Sequence, residues 1–405
     1  MRSRSTADHT LVRNLNTSLV LEHLRTQAPL SRADISARTG LNPSTVSNAV
    51  RYLIARHMVR EVGPATSHGG RPGRLLELSP EGGCVVGAEI GVGFVNVVVT
   101  NFRAERLWQR RVHVSDQPQH ADLSRRAADL VDEALQIGLS QGLQPLGVGL
   151  GVPGLVDVAH GELVMSPNLG LANVPFRDLW TARFRRPVFV DNEANAAAWG
   201  EYFFGGANAA RSLVFLSTGI GLGCGIILNG ELFHGHNGFA GEVGHITMVA
   251  HGGALCGCGK RGCWETLVTP RAIIQQVKQR IEREVTASTA AQIVTFLEEA
   301  GVDGVIETAR QGDTVCAAVL ERVAFWLGLG IANLVNTFNP ERVVLGGALA
   351  TLGAYLLPAI VRAAREHMLP PLRDTQVVMS THGADAAVMG AVAMVLADVL
   401  HAPVQ

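Results

Sequence analysis

The chain has 405 residues, 47% of them hydrophobic and 17% charged, with a formal net charge of −1. That length and apolar content predict a large core divided over two or three domains. The polar, arginine-bearing N-terminus shows no signal peptide, and no stretch of about 20 apolar residues suggests a membrane span, so a soluble cytoplasmic protein is expected.

Charge is uneven along the chain. Up to Pro80 there are eleven arginines against five carboxylates, about +6, leaving about −7 for the remainder. A basic module on a mildly acidic body fits a domain that touches polyanions. Ser18–Gln27 has helical periodicity, with Leu19, Leu21 and Leu24 as its apolar positions. Ser31 caps a second predicted helix, Arg32–Thr39, whose Ile35 faces inward and which Gly40 ends. Asn42 caps a third, which starts at Pro43 and runs to about Arg56. Val46, Val50, Leu53 and Ile54 share one face of it, while Ser44, Thr45, Ser47, Asn48 and Arg51 fall largely outward. Two helices joined by a short glycine turn, the second polar on its outer face, predict a helix-turn-helix that fits the major groove of double-stranded DNA. Ser, Thr and Asn can read base edges or hold phosphates, and Arg51 can do either. Met58–Val62 and Leu75–Leu78 then read as a two-stranded wing with Gly69–Arg74 at its tip. Arg71 and Arg74 there can enter a minor groove or contact phosphates alone.

Beyond Pro80 short apolar runs alternate with helical stretches. Predicted strands are Cys84–Ile90, Val95–Thr100, Leu146–Leu150, Val188–Val190, Leu213–Leu216, Cys224–Leu228 and Val343–Leu345. Predicted helices are Ala121–Gln141, Glu193–Phe203, Cys316–Phe338 and Ala386–Leu400. The pattern is an α/β body in two lobes, with strand ends running into glycine-rich or acidic loops, where such sheets place ligand sites. Cys84, Cys224 and Cys316 sit in apolar runs and read as buried thiols. The other three cysteines are clustered, which in a cytosolic chain means metal more often than disulfide. Gly241-Glu242-Val243-Gly244-His245 precedes Cys256-Gly257-Cys258-Gly259-Lys260-Arg261-Gly262-Cys263-Trp264-Glu265. A Cys-x-Cys-x4-Cys knuckle folds tightly around a small soft cation, and three Cys plus one His, with His245 well placed, make a closed structural zinc set.

These motifs carry a family resemblance. Gly149-Leu150-Gly151-Val152-Pro153-Gly154, Ser166-Pro167-Asn168-Leu169, Asp191-Asn192-Glu193-Ala194-Asn195, Thr218-Gly219-Ile220-Gly221, the cysteine segment and Asn339-Pro340-Glu341-Arg342-Val343-Val344-Leu345-Gly346-Gly347 come in this order. Together they resemble the ROK family of repressors, open reading frames and sugar kinases, across nearly the whole chain after Pro80. The resemblance implies a two-lobed, actin-like and ribonuclease H-like sugar-kinase body. The winged helix in front resembles the repressor branch, of the xylose-repressor type, because the kinases lack it. The implied division is 1–80 for the winged helix-turn-helix, 81–192 and 193–381 for the two lobes, and 382–405 for a C-terminal helix packing back toward the N-terminal parts. In the relatives the interval from the zinc histidine to the first cysteine is often slightly shorter, and His251 lies within it here. His245, in the Gly-Glu-x-Gly-His context, is the expected ligand and His251 the runner-up.

The family's catalytic aspartate lies in Asn-Asp-Ala-Asn, where this chain has Asn192-Glu193-Ala194-Asn195. The extra methylene moves the carboxylate by about 1 Å, enough to disturb a near-attack geometry. The kinases' first phosphate loop reads Asp-x-Gly-Gly-Thr, and the matching residues are Glu89-Ile90-Gly91-Val92-Gly93, with bulk added and the hydroxyl gone. The glycine loop Thr218–Gly225 is intact. Two independent changes argue against efficient phosphoryl transfer, so no catalytic residue is assigned. The resemblance assigns sugar hydroxyls to Asn192, Glu193, Glu242, His245 and Glu265, with Asn168 near the same cleft. His245 could bind zinc through one ring nitrogen and a sugar hydroxyl through the other.

The expected protein is a sugar-responsive transcriptional regulator, a repressor of carbohydrate uptake or catabolism genes. It would act as a homodimer or homotetramer on operator DNA, at the nucleoid when bound, with structural zinc and no membrane contact. One alternative is an ATP-dependent sugar kinase of the hexokinase or glucokinase type fused to a DNA-binding domain. The other is a regulator controlled by a protein partner.

Overall fold

The computed structural model describes residues 9–64, 73–114, 120–204, 210–284 and 300–403. The N-terminal module comprises α1 (His9–Gln27), β1 (Leu30–Ser31), α2 (Arg32–Thr39), α3 (Pro43–Ala55), β2 (Val59–Pro64) and β3 (Arg74–Leu78). Local chemistry fixes its helix ends. Ser31 Oγ accepts from the Asp34 amide at 3.2 Å while Asp34 Oδ2 accepts from the Ser31 amide at 2.9 Å, a reciprocal capping box. Gly40 closes α2 at φ 71°. Asn42 Oδ1 accepts from the Thr45 amide at 2.9 Å and starts α3. The strands form a three-stranded antiparallel sheet in the order β1-β3-β2. Val20, Leu21, Leu24, Ile35, Val46, Val50, Leu53 and Leu76 fill the core.

Helix α1 begins nine residues before the expected start, and its Leu19 faces outward. Thr17, Val20, Leu21 and Leu24 form the buried face instead. Thr17 is tolerated there because its hydroxyl donates to the Arg13 carbonyl at 2.7 Å. Arg71 and most of the wing tip lie outside the described residues.

The first lobe contains β4 (Cys84–Gly91), β5 (Phe94–Asn101), β6 (Arg106–His113), α4 (His120–Ser140), β7 (Pro145–Val152), β8 (Leu155–Asp157), β9 (Glu162–Ser166), β10 (Leu171–Val174), α5 (Phe176–Phe184) and β11 (Val188–Asn192), and α6 (Glu193–Phe204) leads from it onto the second sheet. Its main sheet has the order β11-β7-β4-β5-β6, and β8–β10 form a small antiparallel sheet beside it. The second lobe contains β12 (Leu213–Thr218), β13 (Leu222–Leu228), β14 (Glu231–Leu232), α7 (Glu265–Val268), α8 (Pro270–Glu284), α9 at 300–310, α10 (Thr314–Phe338), β15 (Arg342–Gly347), α11 (Leu349–His367) and β16 (Gln376–Met379), after which α12 (Ala386–His401) returns to the first sheet. Its sheet has the order β14-β13-β12-β15-β16. In each sheet the first strand pairs antiparallel with the second and parallel with the fourth. Two lobes with one strand order form the two-lobed sugar-kinase-like body.

Two segments, α10 and Gly383–His401, are long and apolar enough to cross a membrane, which corrects the expectation that no such stretch exists. Both are core helices, α10 burying Leu320, Val323, Leu327 and Ile331. Helix α12 lies across the first sheet and α6, and glycines permit the close crossing: a Cβ on Gly390 would collide with the Ala196 carbonyl. Its Val388, Val392 and Leu396 share one core with Val20, Leu21 and Leu24 of α1.

Candidate functional site

The cleft begins where β11 runs into α6. Asn192 Oδ1 accepts from the amides of Ala194 and Asn195, at 2.8 and 3.3 Å, and so caps α6. Its Nδ2 donates to the Gly154 carbonyl at 2.9 Å and to Glu193 Oε2 at 2.8 Å. Glu193 is thereby fixed in the first turn of the helix. Burial, reinforced by the Glu89, Glu242 and Asp191 carboxylates, pushes its pKa up to about 7. Glu89, on β4, is also pushed to about 7, by burial against the opposing charge of Arg111. Its Oε2 is buried without a hydrogen-bond partner among the described residues.

The cysteine segment forms a short hairpin with bridges Thr247–Cys263 and Leu255–Arg261. Gly262, at φ 75°, sits so close to the Val249 carbonyl that a Cβ there would collide with it. This turn gathers His245, Cys256, Cys258 and Cys263 with all ligand atoms within 4.8 Å of one another. Cys258 and Cys263 Sγ are 3.7 Å apart, and Cys256 Sγ is 3.5 Å from His245 Nδ1. A tetrahedral ion with metal–sulfur bonds of about 2.3 Å has sulfur–sulfur edges of about 3.8 Å. The donor set therefore fits a closed metal site. His251 is exposed and outside the quartet. Cys84, Cys224 and Cys316 are buried apart from it.

The same hairpin meets Glu242 and the glycine loop Thr218–Gly225. His245 Nε2 lies 3.8 Å from Glu242 Oε2, so the two ring nitrogens face different groups. Burial raises Glu242 above the usual carboxylate range, against the nearby His245. Glu265 Oε1 is 3.6 Å from His245 Nδ1 and accepts from Cys256 Sγ at 2.8 Å. Its Oε2 borders the second glycine loop, 3.0 Å from where a Gly221 Cβ would stand. Glu193 Oε1 borders the next glycine, 3.9 Å from a Cβ on Gly223. Glu193 and Glu265 thus lie along one glycine loop, with Glu242 and His245 beside them. Asn168 is exposed on the turn between β9 and β10, and no hydrogen bond ties it to this group among the described residues.

Sequence reasoning missed a neighbouring pair. Asp191 is only 2% exposed, accepts from Asn195 Nδ2 at 2.9 Å and meets His234 Nε2 at 2.7 Å. The carboxylate holds His234 above the ordinary imidazole range. No local motif marks His234, which reaches Asp191 from the loop after β14.

In the N-terminal module Ser44 and Thr45 hydroxyls donate to Asn42 Oδ1 at 2.7 and 2.9 Å. Ser47 Oγ donates to the Pro43 carbonyl at 2.8 Å, and Arg51 reaches Asn48 at 3.2 Å. Ser44, Asn48 and Arg51 are exposed, as is Arg74 at the start of β3.

Contacts join this module to the cleft. Arg25 on α1 stacks over the Phe203 ring, 4.0 Å from its centroid, and donates to the Phe203 carbonyl at 2.7 Å. Phe203 is in the last turn of α6, whose first residue is Glu193. Glu201, buried on the same helix, accepts from Thr381 Oγ1 and the His382 amide, each at 3.1 Å. It thereby holds the turn leading to α12.

A sequence model of the ROK family matches residues 85–398, and one of the IclR helix-turn-helix domain matches residues 16–63. The xylose repressor of Caldicellulosiruptor bescii is 34% identical over 397 residues, covering 98% of this chain and 99% of that protein. Among solved structures, a ROK family transcriptional regulator, a homologue of the E. coli Mlc protein, aligns with a TM-score of 0.81 at 27% identity, over 96% of this chain and 98% of its own. A ROK family glucokinase from Streptomyces griseus, in complex with glucose and AMPPNP, aligns at 0.65 and 33% identity, over 77% of this chain and 99% of its own.

Proposed function

The chain belongs to the ROK family, and from that premise we propose that it is a sugar-responsive DNA-binding repressor whose kinase-like body serves as receptor. One observation carries the reading. Helix α6 runs from Glu193 in the cleft to Phe203, where Arg25 of the DNA-binding module grips it. A rigid helix of 12 residues, about 18 Å long, links the two ends.

In this reading residues 1–80 bind operator DNA, 81–192 and 193–381 form the lobes, and 382–405 couple them. Ser44, Thr45, Ser47, Asn48 and Arg51 meet the major groove, and Arg71 and Arg74 the adjacent backbone or minor groove. Asn168, Asn192, Glu193, Glu242, His245 and Glu265 hold sugar hydroxyls, which carboxylates and amides match as paired acceptors and donors. His245, Cys256, Cys258 and Cys263 hold a structural zinc ion, which would cross-link the hairpin when bound. The hairpin keeps Glu242, His245 and Glu265 facing the cleft. Sugar binding closes the lobes, displaces α6 and α12, and re-spaces two recognition helices in a homodimer or homotetramer. Sugar and DNA then oppose each other by one coupling energy.

A second reading rests on Glu193. A carboxylate with a pKa near 7 has the basicity a general base needs. Altered residues in the loop Glu89–Gly93 weigh against it. Two measurements separate the readings. A duplex selected from a random pool should lose affinity at least tenfold with one member of an aldose panel that includes xylose and glucose, at fixed salt. A coupled ATP assay on the same panel should show no turnover. Turnover near 1 per second would overturn the receptor reading, and an unresponsive DNA affinity would point to a protein partner.

A further inference from the structure

Asp191 and Asn192 end β11, and Glu193 starts α6. Both oxygens of the buried Asp191 carboxylate are committed at this turn. Oδ1 accepts from the Asn192 amide at 2.7 Å and from Asn195 Nδ2 at 2.9 Å, and Oδ2 accepts from His234 Nε2 at 2.7 Å. The carboxylate is therefore a fixed point on the turn that presents Asn192 and Glu193. His234 comes from the other lobe, in a loop at 233–241 that leaves the second sheet after β14 and rejoins it before Glu242. The Phe233 amide donates to the Ile226 carbonyl of β13 at 2.8 Å, and the Ala240 amide donates to the His234 carbonyl at 3.0 Å, drawing the ends of the loop together. Between those ends the loop reaches the first lobe, where a Cβ on Gly238 would stand 2.8 Å from the Val156 carbonyl of β8. On its return Gly241 passes so close to the Cys224 carbonyl of β13 that a Cβ would stand 2.3 Å from it, and Glu242 follows directly.

We propose that His234 is a positioning residue of the sugar site: its bond to Asp191 ties the loop 233–241 across the lobes, and the tied loop sets Glu242 beside Glu193. The consequence for sugar rests on the receptor reading, whereas the positioning of Glu242 does not. The loop needs such a tie. Gly235, Gly238 and Gly241 hold φ between 71° and 92°, so a third of its nine residues have the widest choice of backbone conformations to lose on ordering. The Gly238 contact with β8 is van der Waals packing and has no preferred direction. The bond from His234 has one, because a hydrogen bond to a carboxylate is strong in line and weakens steeply off it. It is made to a carboxylate that cannot follow the loop, since the first turn of α6 holds Asp191 from the other side. His234 thus acts through Asp191 and the loop, and Glu242 makes the contact with the sugar.

The test compares His234→Ala with His234→Gln in the full chain. Glutamine carries an N–H at about the reach of Nε2, and alanine carries none. The side chain is 29% exposed on a loop, so neither change empties the core. Hydrogen–deuterium exchange without sugar reads the positioning alone: the amides of residues 240–245 should exchange at least tenfold faster in His234→Ala and about as in the unaltered chain in His234→Gln. Calorimetry with the aldose panel reads the consequence: His234→Ala should weaken the sugar that binds at least tenfold, and His234→Gln should recover most of the loss. In a Glu242→Ala background His234→Ala should cost less than threefold more, because the contact it positions is already gone. Unchanged exchange in His234→Ala would overturn the proposal, as would an undiminished sugar affinity or a full tenfold loss in the Glu242→Ala background, which would mean a general loosening. If the unaltered chain bound no sugar of the panel, the receptor reading would fail, and the exchange result would decide the role of His234 by itself.

Discussion

His245 has two ring nitrogens with different neighbours. Nδ1 points at the sulfur cluster and Nε2 toward Glu242. Coordination at one nitrogen fixes the proton on the other, so a bound metal would make Nε2–H a permanent donor toward the cleft. The alternative ligand, His251, is exposed and outside the quartet. His245→Ala should therefore release zinc and weaken sugar binding together, whereas His251→Ala should retain about one zinc per chain. Elemental analysis of the two purified variants checks this, and the reverse pattern would move the fourth ligand to His251. The sequence spacing favoured His245 only through context, because it could not show how the eleven-residue interval to Cys256 folds. Glycines at 252, 253 and 262 supply the turns that bring the cysteines back to His245.

At the scale of elements, α6 is the part shared by both ends of the molecule. Its N-terminus is capped by Asn192 and its C-terminus is gripped by Arg25. Arg25→Ala should leave sugar affinity within about twofold by calorimetry and cut the sugar-induced change in DNA affinity at least tenfold. Arg25→Lys should restore little of it, since an ammonium keeps the charge but lacks the planar fork that stacks and donates together. A full response in Arg25→Ala would shift the coupling to α12 alone. The caps and apolar runs that place α2, α3, α6 and β4 were legible because each is locally consistent: all eight residues of β4 are buried. Other elements were hidden for identifiable reasons. Edge strand β6 carries Arg106, Gln109, Arg110 and Arg111 and shows no apolar run. Helix α11 contains Pro358, which reads as a break. The Asp191–His234 pair is tertiary, joining positions 43 residues apart.

At the scale of the whole molecule, the buried carboxylates make stability depend on pH. Glu89 and Glu193 rise from an ordinary 4.5 to about 7 in the fold. Between those values the folded chain binds more protons than the unfolded chain, so stability falls as pH rises through the window and levels off above it. Glu89→Gln should raise Tm by about 2–4 °C at pH 7.5 and change it little at pH 5, where the native side chain is already neutral. Calorimetry at the two pH values checks this, and equal shifts at both would mean that packing rather than charge sets the cost. Sugar that donates a hydroxyl to Glu193 would relieve part of the same cost, so ligand stabilisation should be larger at pH 7.5 than at pH 5.

The two five-stranded sheets repeat one strand order, so each first hairpin has a counterpart across the cleft. The turn at Gly91–Gly93 in one half answers the turn at Gly219–Gly221 in the other. Such a body has halves that match in strand order but not in sequence. One turn can change its chemistry while its twin keeps its own. In the proposed reading, a changed turn at Gly91–Gly93 would cost the body its phosphate chemistry and leave the opposite turn and the carboxylates beside it free to hold a sugar.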